Sequence, residues 1–286
     1  MNYAQTFEEF LAHRDSIAVS LSDAVAGCLD GKRSANLRPV YVKELRRYLS
    51  RFSEYVGDCS IQSVSVSHVE KWLSKPEWSP GTRATGISRL SALFGFAVRR
   101  GYILQNPIDR LDRIRLERKP PQILSPSDAV KLLGISTLFA PSMLPYLIVG
   151  MFGGVRPHEL DKLRFEDIDF KRGIIRIDAA TSKVRCRRIV ELQPNVIALL
   201  SRHSAGTGLI SPKQKRRKLR LLREKMGWKS WPKDILRHTA SSYLMAKCRD
   251  TALVSDWLGN SPGILLTHYR ELVSAEDCLA FWKIIP

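Results

Sequence analysis

Residues 234–239 read Asp-Ile-Leu-Arg-His-Thr, and the same final fifth of the chain contains Leu258-Gly259-Asn260 and His268-Tyr269-Arg270. An arginine followed by a histidine and a hydroxyl residue, at the apolar start of a predicted helix, offers several hydrogen-bond donors to one anion. Tyr269 lies nine positions after Asn260, which is far enough to place it on the next helix. The stretch therefore predicts a site that binds phosphate and carries a tyrosine nucleophile.

A second arginine lies about a third of the chain earlier, in Gly153-Gly154-Val155-Arg156-Pro157-His158-Glu159-Leu160. The glycine pair allows the backbone to turn sharply after a buried helix predicted over 144–152, and so presents Arg156. Glu159 can fix the guanidinium while leaving donors free. A purely structural ion pair of Arg156 with Glu159 or Asp161 is the alternative. Two arginines from distant segments suit the two non-bridging oxygens of a phosphodiester.

The order Arg, Lys, Arg-His, Leu-Gly-x, Tyr resembles the catalytic domain of the tyrosine recombinases, which are also called the phage integrase family. The most specific parts are Arg156-x-x-Glu159-Leu160, Leu236-Arg237-His238-Thr239, and Leu258-Gly259 followed by Tyr269. They occur in the family's order and close to its spacing, and the resemblance extends from about Phe7 to the end of the chain.

The charge balance indicates a polyanionic partner. The 286 residues include 46 Lys and Arg against 28 Asp and Glu, which gives a net charge of +18. Nucleic acid is the first candidate and an anionic membrane the second. No apolar run approaches the roughly 20 residues that span a bilayer, and Met1 to Asp15 carries acids rather than the plan of a signal peptide. We expect a cytoplasmic protein that binds double-stranded DNA and no membrane.

The five cysteines are widely scattered and contain no C-x-x-C pair. They predict neither a disulfide framework nor a zinc site. The family resemblance likewise implies chemistry without a metal, a nucleotide or any other small-molecule cofactor.

Residues 6–118 have a helical pattern. Apolar residues recur at steps of three and four in the series Leu37, Tyr41, Leu45, Tyr48 and Phe52. Ser67 can cap a short helix, and Ser79-Pro80 can open another that Gly101 ends. The result is a helical bundle over 1–117. The resemblance implies that it is the core-binding domain, with phosphate contacts from Arg83, Arg89, Arg99 and Arg100, although a basic surface without a specific partner explains the charge equally well.

A charged run that ends in Pro120-Pro121 predicts an extended linker over 118–123. Immediately afterwards, Ser125-Pro126-Ser127-Asp128 has the form of a helix start. We therefore assign 124–286 to a second, catalytic domain with a C-terminal tail. Its residues from 121 onward carry 27 basic and 15 acidic side chains, and so two thirds of the excess charge.

Three short β-branched segments predict the strands of this domain, at Phe165 to Phe170, Gly173 to Ile177 and Arg187 to Leu192. The fold class is therefore mainly α with a small β-sheet (α+β). Lys183 lies on the predicted hairpin tip, Asp178 to Arg185. A lysine in a polar loop is usually only solvated, but the resemblance implies that Lys183 reaches the scissile phosphate and protonates the leaving oxygen.

The densest charge follows at 213–223, a run whose second half predicts a helix. A flexible tail, a localisation signal and a membrane-surface helix are alternatives to a DNA-facing element. Its DNA-binding candidates are Lys213, Lys215, Arg216, Arg217 and Lys218. The apolar residues of 271–286 predict a tail that folds onto its own domain or, as the resemblance implies, docks on a neighbouring protomer.

The resemblance implies a site-specific recombinase or integrase that cleaves and rejoins DNA. Tyr269 would attack phosphorus to give a 3′-phosphotyrosine and a 5′-hydroxyl, with Arg156 and Arg237 stabilising the transition state. Homo-oligomers are implied as well, with a dimer on each site and a tetramer in synapsis.

Two positions depart from the usual family pattern. Asp234 lies where a histidine or lysine often accepts the proton, and Asn260 lies where histidine or tryptophan is usual. Asp234 can point away from the phosphate or cap a helix, and Asn260 can donate a neutral hydrogen bond. Lys233, His238 or His268 can supply the lost function, while His238 as a core residue is the structural alternative. A DNA-binding regulator with weakened catalysis and a topoisomerase-like nicking and closing enzyme therefore remain alternatives.

Overall fold

The computed structural model describes residues 19–112, 114–115, 120–178, 187–203, 206–269 and 272–284. The chain divides into two compact units, Met1–Arg118 and Lys119–Pro286, and each is described by itself. Over the described residues the fold is mostly helical with one small antiparallel sheet, as predicted. None of these helices is both long enough and apolar enough to cross a bilayer.

Four α-helices of the first unit are described: α1 (Leu21–Ser34), α2 (Pro39–Val56), α3 (Val66–Leu73) and α4 (Pro80–Arg99). Helix α4 begins after the Ser79 cap with Pro80 in its first turn, and Gly101 follows its last turn with φ at +72°, so both predicted ends are confirmed. The predicted Ser67 cap is wrong. Ser65 caps α3, because its hydroxyl accepts from the His68 amide while the His68 ring accepts from the Ser65 amide.

The core of this unit is aromatic. Residues of the predicted stripe from Leu45 onward are buried, whereas Leu37 precedes α2 and is exposed. Phe52 and Trp78 both meet Trp72 edge to face, with ring centroids 5.2 and 4.8 Å apart. Such rings bury large apolar areas and prefer this geometry, so they fix how the helices pack.

The second unit is built around two helices that pack against each other, α6 (Leu144–Gly153) and α10 (Ile235–Cys248). Every residue of α6 is buried, which confirms the predicted buried helix. A Cβ at Gly150 would lie 2.9 Å from Leu236 Cδ1, so glycine permits this close approach. The remaining described α-helices are α5 (Pro126–Phe139), α7 (Pro157–Leu160), α8 (Pro194–His203), α9 (Lys215–Lys225), α11 (Thr251–Leu258), α12 (Pro262–Tyr269) and α13 (Ala275–Trp282).

A three-stranded antiparallel sheet of order β1-β2-β3 lies near Gly153 at the end of α6 and comprises β1 (Ile168–Asp169), β2 (Ile174–Ile177) and β3 (Arg188–Glu191). Ile175 pairs with Val190, and both side chains are buried. The first predicted strand is largely wrong, because Phe165–Asp167 forms a 3₁₀ turn and only two residues pair. Most of the predicted hairpin tip, including Lys183, lies outside the described residues.

Two further segments refine the sequence prediction. The basic run is helical from Lys215, earlier than predicted. The C-terminal segment packs on its own unit, where the Phe281 ring stacks on Tyr243 with centroids 3.8 Å apart. The same Phe281 ring lies 4.8 Å from that of Phe152 in α6. Of the two predicted positions for the tail, the structure therefore contains the one on its own domain.

Candidate active site

Arg237 is the most buried cation among the predicted site residues that the structure describes. It lies in the first turn of α10 with 6% of its surface exposed. Its Nη1 donates to the Gly154 carbonyl, and its Nη2 donates to the Leu258 carbonyl at 2.7 Å and to Asn260 Oδ1 at 2.9 Å. Burial, followed by repulsion from Arg156 and Arg188, lowers the pKa of Arg237 to about 9. The guanidinium is therefore cationic at neutral pH and held by fixed acceptors.

The turn after α6 brings the first of these acceptors into place. Gly154 has a φ of +62°, and a Cβ there would lie only 2.4 Å from Leu258 Cδ2. A left-handed backbone and a close approach both require glycine. The glycine pair therefore makes the predicted sharp turn in the backbone that leads to Arg156.

Arg156 and Glu159 form the predicted pair, with Nη1 3.2 Å from Oε1. The other carboxylate oxygen accepts the Arg156 backbone N–H at 3.1 Å. Arg156 Nη2 also donates to the Gly259 carbonyl and, at 3.1 Å, to Asn260 Oδ1. Asp161, the other proposed partner, pairs with Lys215 instead. Glu159 therefore orients Arg156 toward the end of α11.

Arg188 at the start of β3 was missed by the sequence analysis, which read it only as part of a strand. Its Nη1 and Nη2 donate to Oε1 and Oε2 of Glu159 at 3.0 and 2.6 Å, and its Nε donates to the Trp257 carbonyl at 3.0 Å. Burial opposes ionisation of Glu159, but hydrogen bonds from Arg188 and Arg156 lower its pKa to about 2. The available signal was that Arg188 lies two positions before buried Val190 and therefore on the same face of a short strand.

Asn260 connects the two predicted arginines, since its Oδ1 accepts from both Arg156 and Arg237. It follows Gly259, which ends α11 with a φ of +61°. The Asn260 amide oxygen therefore accepts hydrogen bonds from both guanidinium groups. The predicted role was different, because it used the amide nitrogen as a hydrogen-bond donor. This shared contact could not be read from sequence, because Asn260 lies 104 positions from Arg156 and 23 positions from Arg237.

Tyr269 is the last residue of α12, and only 5% of its surface is exposed. Its hydroxyl lies 2.8 Å from His238 Nδ1. Burial raises the pKa of Tyr269, while a hydrogen bond with Ser241 and the charge of Arg237 oppose that rise. Burial lowers the pKa of His238, so a neutral imidazole with an unprotonated Nδ1 can accept the hydroxyl proton.

The other residues named for proton transfer lie differently. Asp234 occupies the N-cap position of α10 with a φ of +52°, but its side chain makes no capping hydrogen bond. The His268 ring centroid is 6.2 Å from that of Tyr269, and Lys233 is exposed. Among the described candidates, His238 makes the direct contact with the hydroxyl. Lys183 lies outside the described residues.

The predicted phosphate contacts differ in how freely they are exposed. In the first unit, Arg99 and Arg100 are exposed, whereas Arg83 is half-buried and Arg89 bonds Glu44 at 2.7 Å. Of the five DNA-binding candidates in the basic run, three are exposed and two make contacts within the unit. The exposed ones are Lys213, Arg216 and Arg217, and the others are Lys215, which pairs with Asp161, and Lys218, which bonds Ser142. Their contacts with DNA stay a prediction.

Within the ranges that the structure describes, no group of three or more His, Cys, Asp or Glu side chains is placed to hold a metal ion.

An arginine cluster beside a tyrosine, on this mixed helical fold, is the arrangement that the resemblance to the tyrosine recombinases implies. No family model matches the chain. It is 26% identical over 265 residues to a tyrosine recombinase of Pseudothermotoga lettingae, covering 86% of this chain and 90% of the relative. A tyrosine recombinase of Thermosipho africanus is 27% identical over 280 residues, covering 88% and 94%. The tyrosine recombinase XerC of a Mycobacterium species, strain KMS, is 27% identical over 260 residues, covering 82% and 87%.

Solved structures have the same fold. A lambda integrase dimer bound to a COC′ core site superposes with a TM-score of 0.70 at 15% identity, covering 86% of this chain and 97% of that one. The Tn1549 transposon integrase in complex with a circular intermediate DNA gives a TM-score of 0.68 at 16% identity, covering 91% and 98%. The comparisons confirm the resemblance that the motifs indicated: the chain is similar in sequence to tyrosine recombinases and has the fold of the lambda and Tn1549 integrases.

Proposed function

We propose that the chain is a site-specific DNA recombinase that cleaves and rejoins double-stranded DNA through Tyr269. The observation that carries the proposal is the convergence of Tyr269, His238, Arg237, Arg156 and Asn260, drawn from four separate segments. Phosphoryl transfer needs positioned cations around a nucleophile and little else from the protein. The lambda integrase bound to its core site and the Tn1549 integrase in complex with a circular intermediate DNA support this substrate.

In the proposed cleavage step, the Tyr269 oxygen forms a bond to phosphorus and the bond from phosphorus to the 5′ oxygen breaks. The products are a 3′-phosphotyrosine and a 5′-hydroxyl, and no net hydrolysis occurs. Arg156 and Arg237 stabilise the charge on the non-bridging oxygens. Because carbonyls and Glu159 already hold both guanidinium groups, little reorganisation is needed at the moment of reaction.

His238 is the proton acceptor in this proposal, because its Nδ1 lies within hydrogen-bond distance of the attacking oxygen. It thereby takes the function that Asp234 cannot supply. Lys183 as the donor of a proton to the leaving oxygen rests on the family resemblance.

The remaining parts of the proposal concern assembly. In the proposed complex with DNA, the first unit is the core-binding domain. Arg99 and Arg100 are the most exposed of its predicted phosphate contacts. A lambda integrase tetramer bound to a Holliday junction, which superposes with a TM-score of 0.70 at 14% identity, supports a tetramer in synapsis.

The test of the nucleophile is trapping of covalent adducts on supercoiled DNA. Tyr269→Phe removes the attacking oxygen, so it should abolish the adduct while binding to DNA is nearly unchanged. Tyr55→Phe is the matched control, because Tyr55 is an exposed tyrosine in the other unit. An adduct that persists in Tyr269→Phe would contradict the assignment. Binding without any adduct would instead support a regulatory protein, and relaxation without strand exchange a topoisomerase-like enzyme.

The test of the proton acceptor is the pH dependence of adduct formation. Because burial keeps the pKa of His238 below its ordinary 6.5, the parent rate should be level above that pH and fall as the pH is lowered and the ring takes up a proton. His238→Asn should slow the reaction by on the order of a hundredfold and remove the acid limb. His268→Asn should retain that limb. An acid limb that survives in His238→Asn would assign the proton acceptor elsewhere.

A further inference from the structure

We propose that Arg188 is a positioning residue that occupies the carboxylate of Glu159 and so leaves the positive charge of Arg156 available to the substrate. The inference rests on the proposed function, in which Arg156 binds the scissile phosphate. It concerns a residue outside the motif set that carries the family resemblance.

The contacts of Glu159 are unequal. Arg188 covers both carboxylate oxygens with a two-pronged contact at 3.0 and 2.6 Å, whereas the Arg156 guanidinium reaches one oxygen at 3.2 Å. A bidentate pair of guanidinium and carboxylate is the stronger arrangement. The carboxylate charge is therefore balanced chiefly by Arg188, although Arg156 is its neighbour in sequence.

Burial strengthens the charge interactions between Glu159 and its two arginines. The Glu159 side chain is fully buried and 7% of the Arg188 side chain is exposed, so water screens the pair only weakly. Two guanidinium groups, those of Arg156 and Arg188, contact this one carboxylate, and its charge also acts on Arg237. Without Arg188, the Glu159 charge would fall on Arg156 and oppose the approach of a phosphodiester anion.

A third contact fixes Arg188 in this position. Its Nε donates to the Trp257 carbonyl near the end of α11, which ties β3 to the segment that carries Asn260. A Cβ at Gly259 would lie 3.2 Å from Arg188 Cδ and 3.4 Å from Arg156 Nη1. Glycine at 259 therefore leaves room for both arginines to lie side by side against the same carboxylate.

The experiment compares Arg188→Gln with Arg187→Gln. Arg187 is the adjacent residue, its side chain is 85% exposed and it pairs with Asp178, so it controls for loss of one positive charge. Binding of inorganic phosphate is followed through the Nε–Hε NMR cross-peaks of Arg156 and Arg237, assigned with Arg156→Lys and Arg237→Lys. Arg188→Gln should weaken phosphate binding at these peaks about tenfold or more, because a charge-assisted contact is lost. Arg187→Gln should stay within about twofold of the parent.

A double variant that removes both charges of the pair separates an electrostatic role of Arg188 from a purely structural one. In Arg188→Gln/Glu159→Gln no carboxylate remains to neutralise Arg156, so phosphate binding should return to within about threefold of the parent. This variant removes one positive and one negative charge together, so the net charge of the cluster is unchanged, and it is readable even where Arg188→Gln does not fold. Phosphate binding as weak as in Arg188→Gln, or an Arg188→Gln that binds like Arg187→Gln, would overturn the proposal.

Adduct formation on supercoiled DNA, measured on the same variants, separates this inference from the proposed function. The expected order of rates follows phosphate binding, with Arg188→Gln slowest. A parent protein that forms no Tyr269 adduct but shows the phosphate pattern would end the proposed function and leave the role of Arg188 standing. Adduct formation with equal rates in Arg188→Gln and Arg187→Gln would end the role of Arg188 alone.

Discussion

Two groups of arginines in the second unit illustrate different uses of positive charge. Arg156, Arg188 and Arg237 come from three separate segments and are held by carbonyls, an amide and one carboxylate. Arg216 and Arg217 of α9 are adjacent in sequence and exposed. The solvated group is therefore a dense run of charge along the chain. In the buried group, Arg156 and Arg237 are single arginines, and Arg188 follows Arg187 at the start of an apolar strand.

The two groups also respond differently to solvent. Removing a guanidinium from water is costly, and the pKa of Arg237 falls to about 9 for that reason. The fixed hydrogen-bond acceptors around Arg237 offset part of this desolvation cost and hold the guanidinium in one orientation. Exposed arginines retain full hydration, and salt screens them beyond about 10 Å at 0.1 M. We expect geometry to control function in the first group and total charge in the second.

The largest expected effect is that of Arg237→Lys, which retains the charge but loses the planar group that meets Gly154, Leu258 and Asn260. Adduct formation should slow by on the order of a hundredfold or more. Arg176→Lys, an exposed change in the same unit, should leave the rate within about twofold. Equal rates in the two variants would show that charge alone is sufficient in the buried group.

Asn260→Ala should have a smaller effect. It removes the oxygen that both Arg156 and Arg237 share, so the arginines lose a common acceptor and adduct formation should slow by about tenfold. Asn195→Ala, which removes an amide that bonds Ile284 elsewhere in the unit, serves as the control. Single-turnover adduct formation measures both. A rate unchanged by Asn260→Ala would mean that the two arginines do not depend on their shared acceptor.

The smallest expected effect concerns the exposed group. Arg216→Gln/Arg217→Gln should leave the cleavage rate of bound DNA unchanged, weaken DNA binding severalfold and reduce the slope of log affinity against log salt by about one to two. Arg164→Gln/Arg172→Gln removes two other exposed charges as a control. Binding isotherms over a salt series decide the point. An unchanged slope in the α9 variant would remove this helix from the DNA contacts.

Local signals predicted the parts of the fold that depend on a few neighbouring residues. Ser79-Pro80 and Ser125-Pro126 start helices where predicted, since a cap and a first-turn proline act within one turn. Residues 165–167 were predicted as a strand and form a 3₁₀ turn, because Asp167 accepts the Arg164 amide and closes a local turn. Hydrophobic periodicity alone did not indicate that a local turn would form there in place of a strand.

The site shows the same division between local and distant causes. Glu159 could be assigned to Arg156 because three positions separate them, and the structure contains that pair. Arg188 lies 29 positions from Glu159, and Asn260 lies 104 positions from Arg156. Only tertiary packing brings these residues together, so no spacing rule could have paired them, although Asn260 itself was named from the Leu258-Gly259 motif. The nearness of His238 to Tyr269 is of this kind as well.

The most direct measurement of the central claim is the mass of the peptide that becomes joined to DNA. After incubation with supercoiled DNA, nuclease treatment and trypsin digestion, the account predicts a nucleotide on the peptide 250–270, whose one tyrosine is Tyr269. Tyr243 lies on a different peptide, 238–247, and its hydroxyl donates to the Leu124 carbonyl in the core. A nucleotide found on 238–247, or on any peptide other than 250–270, would contradict the account.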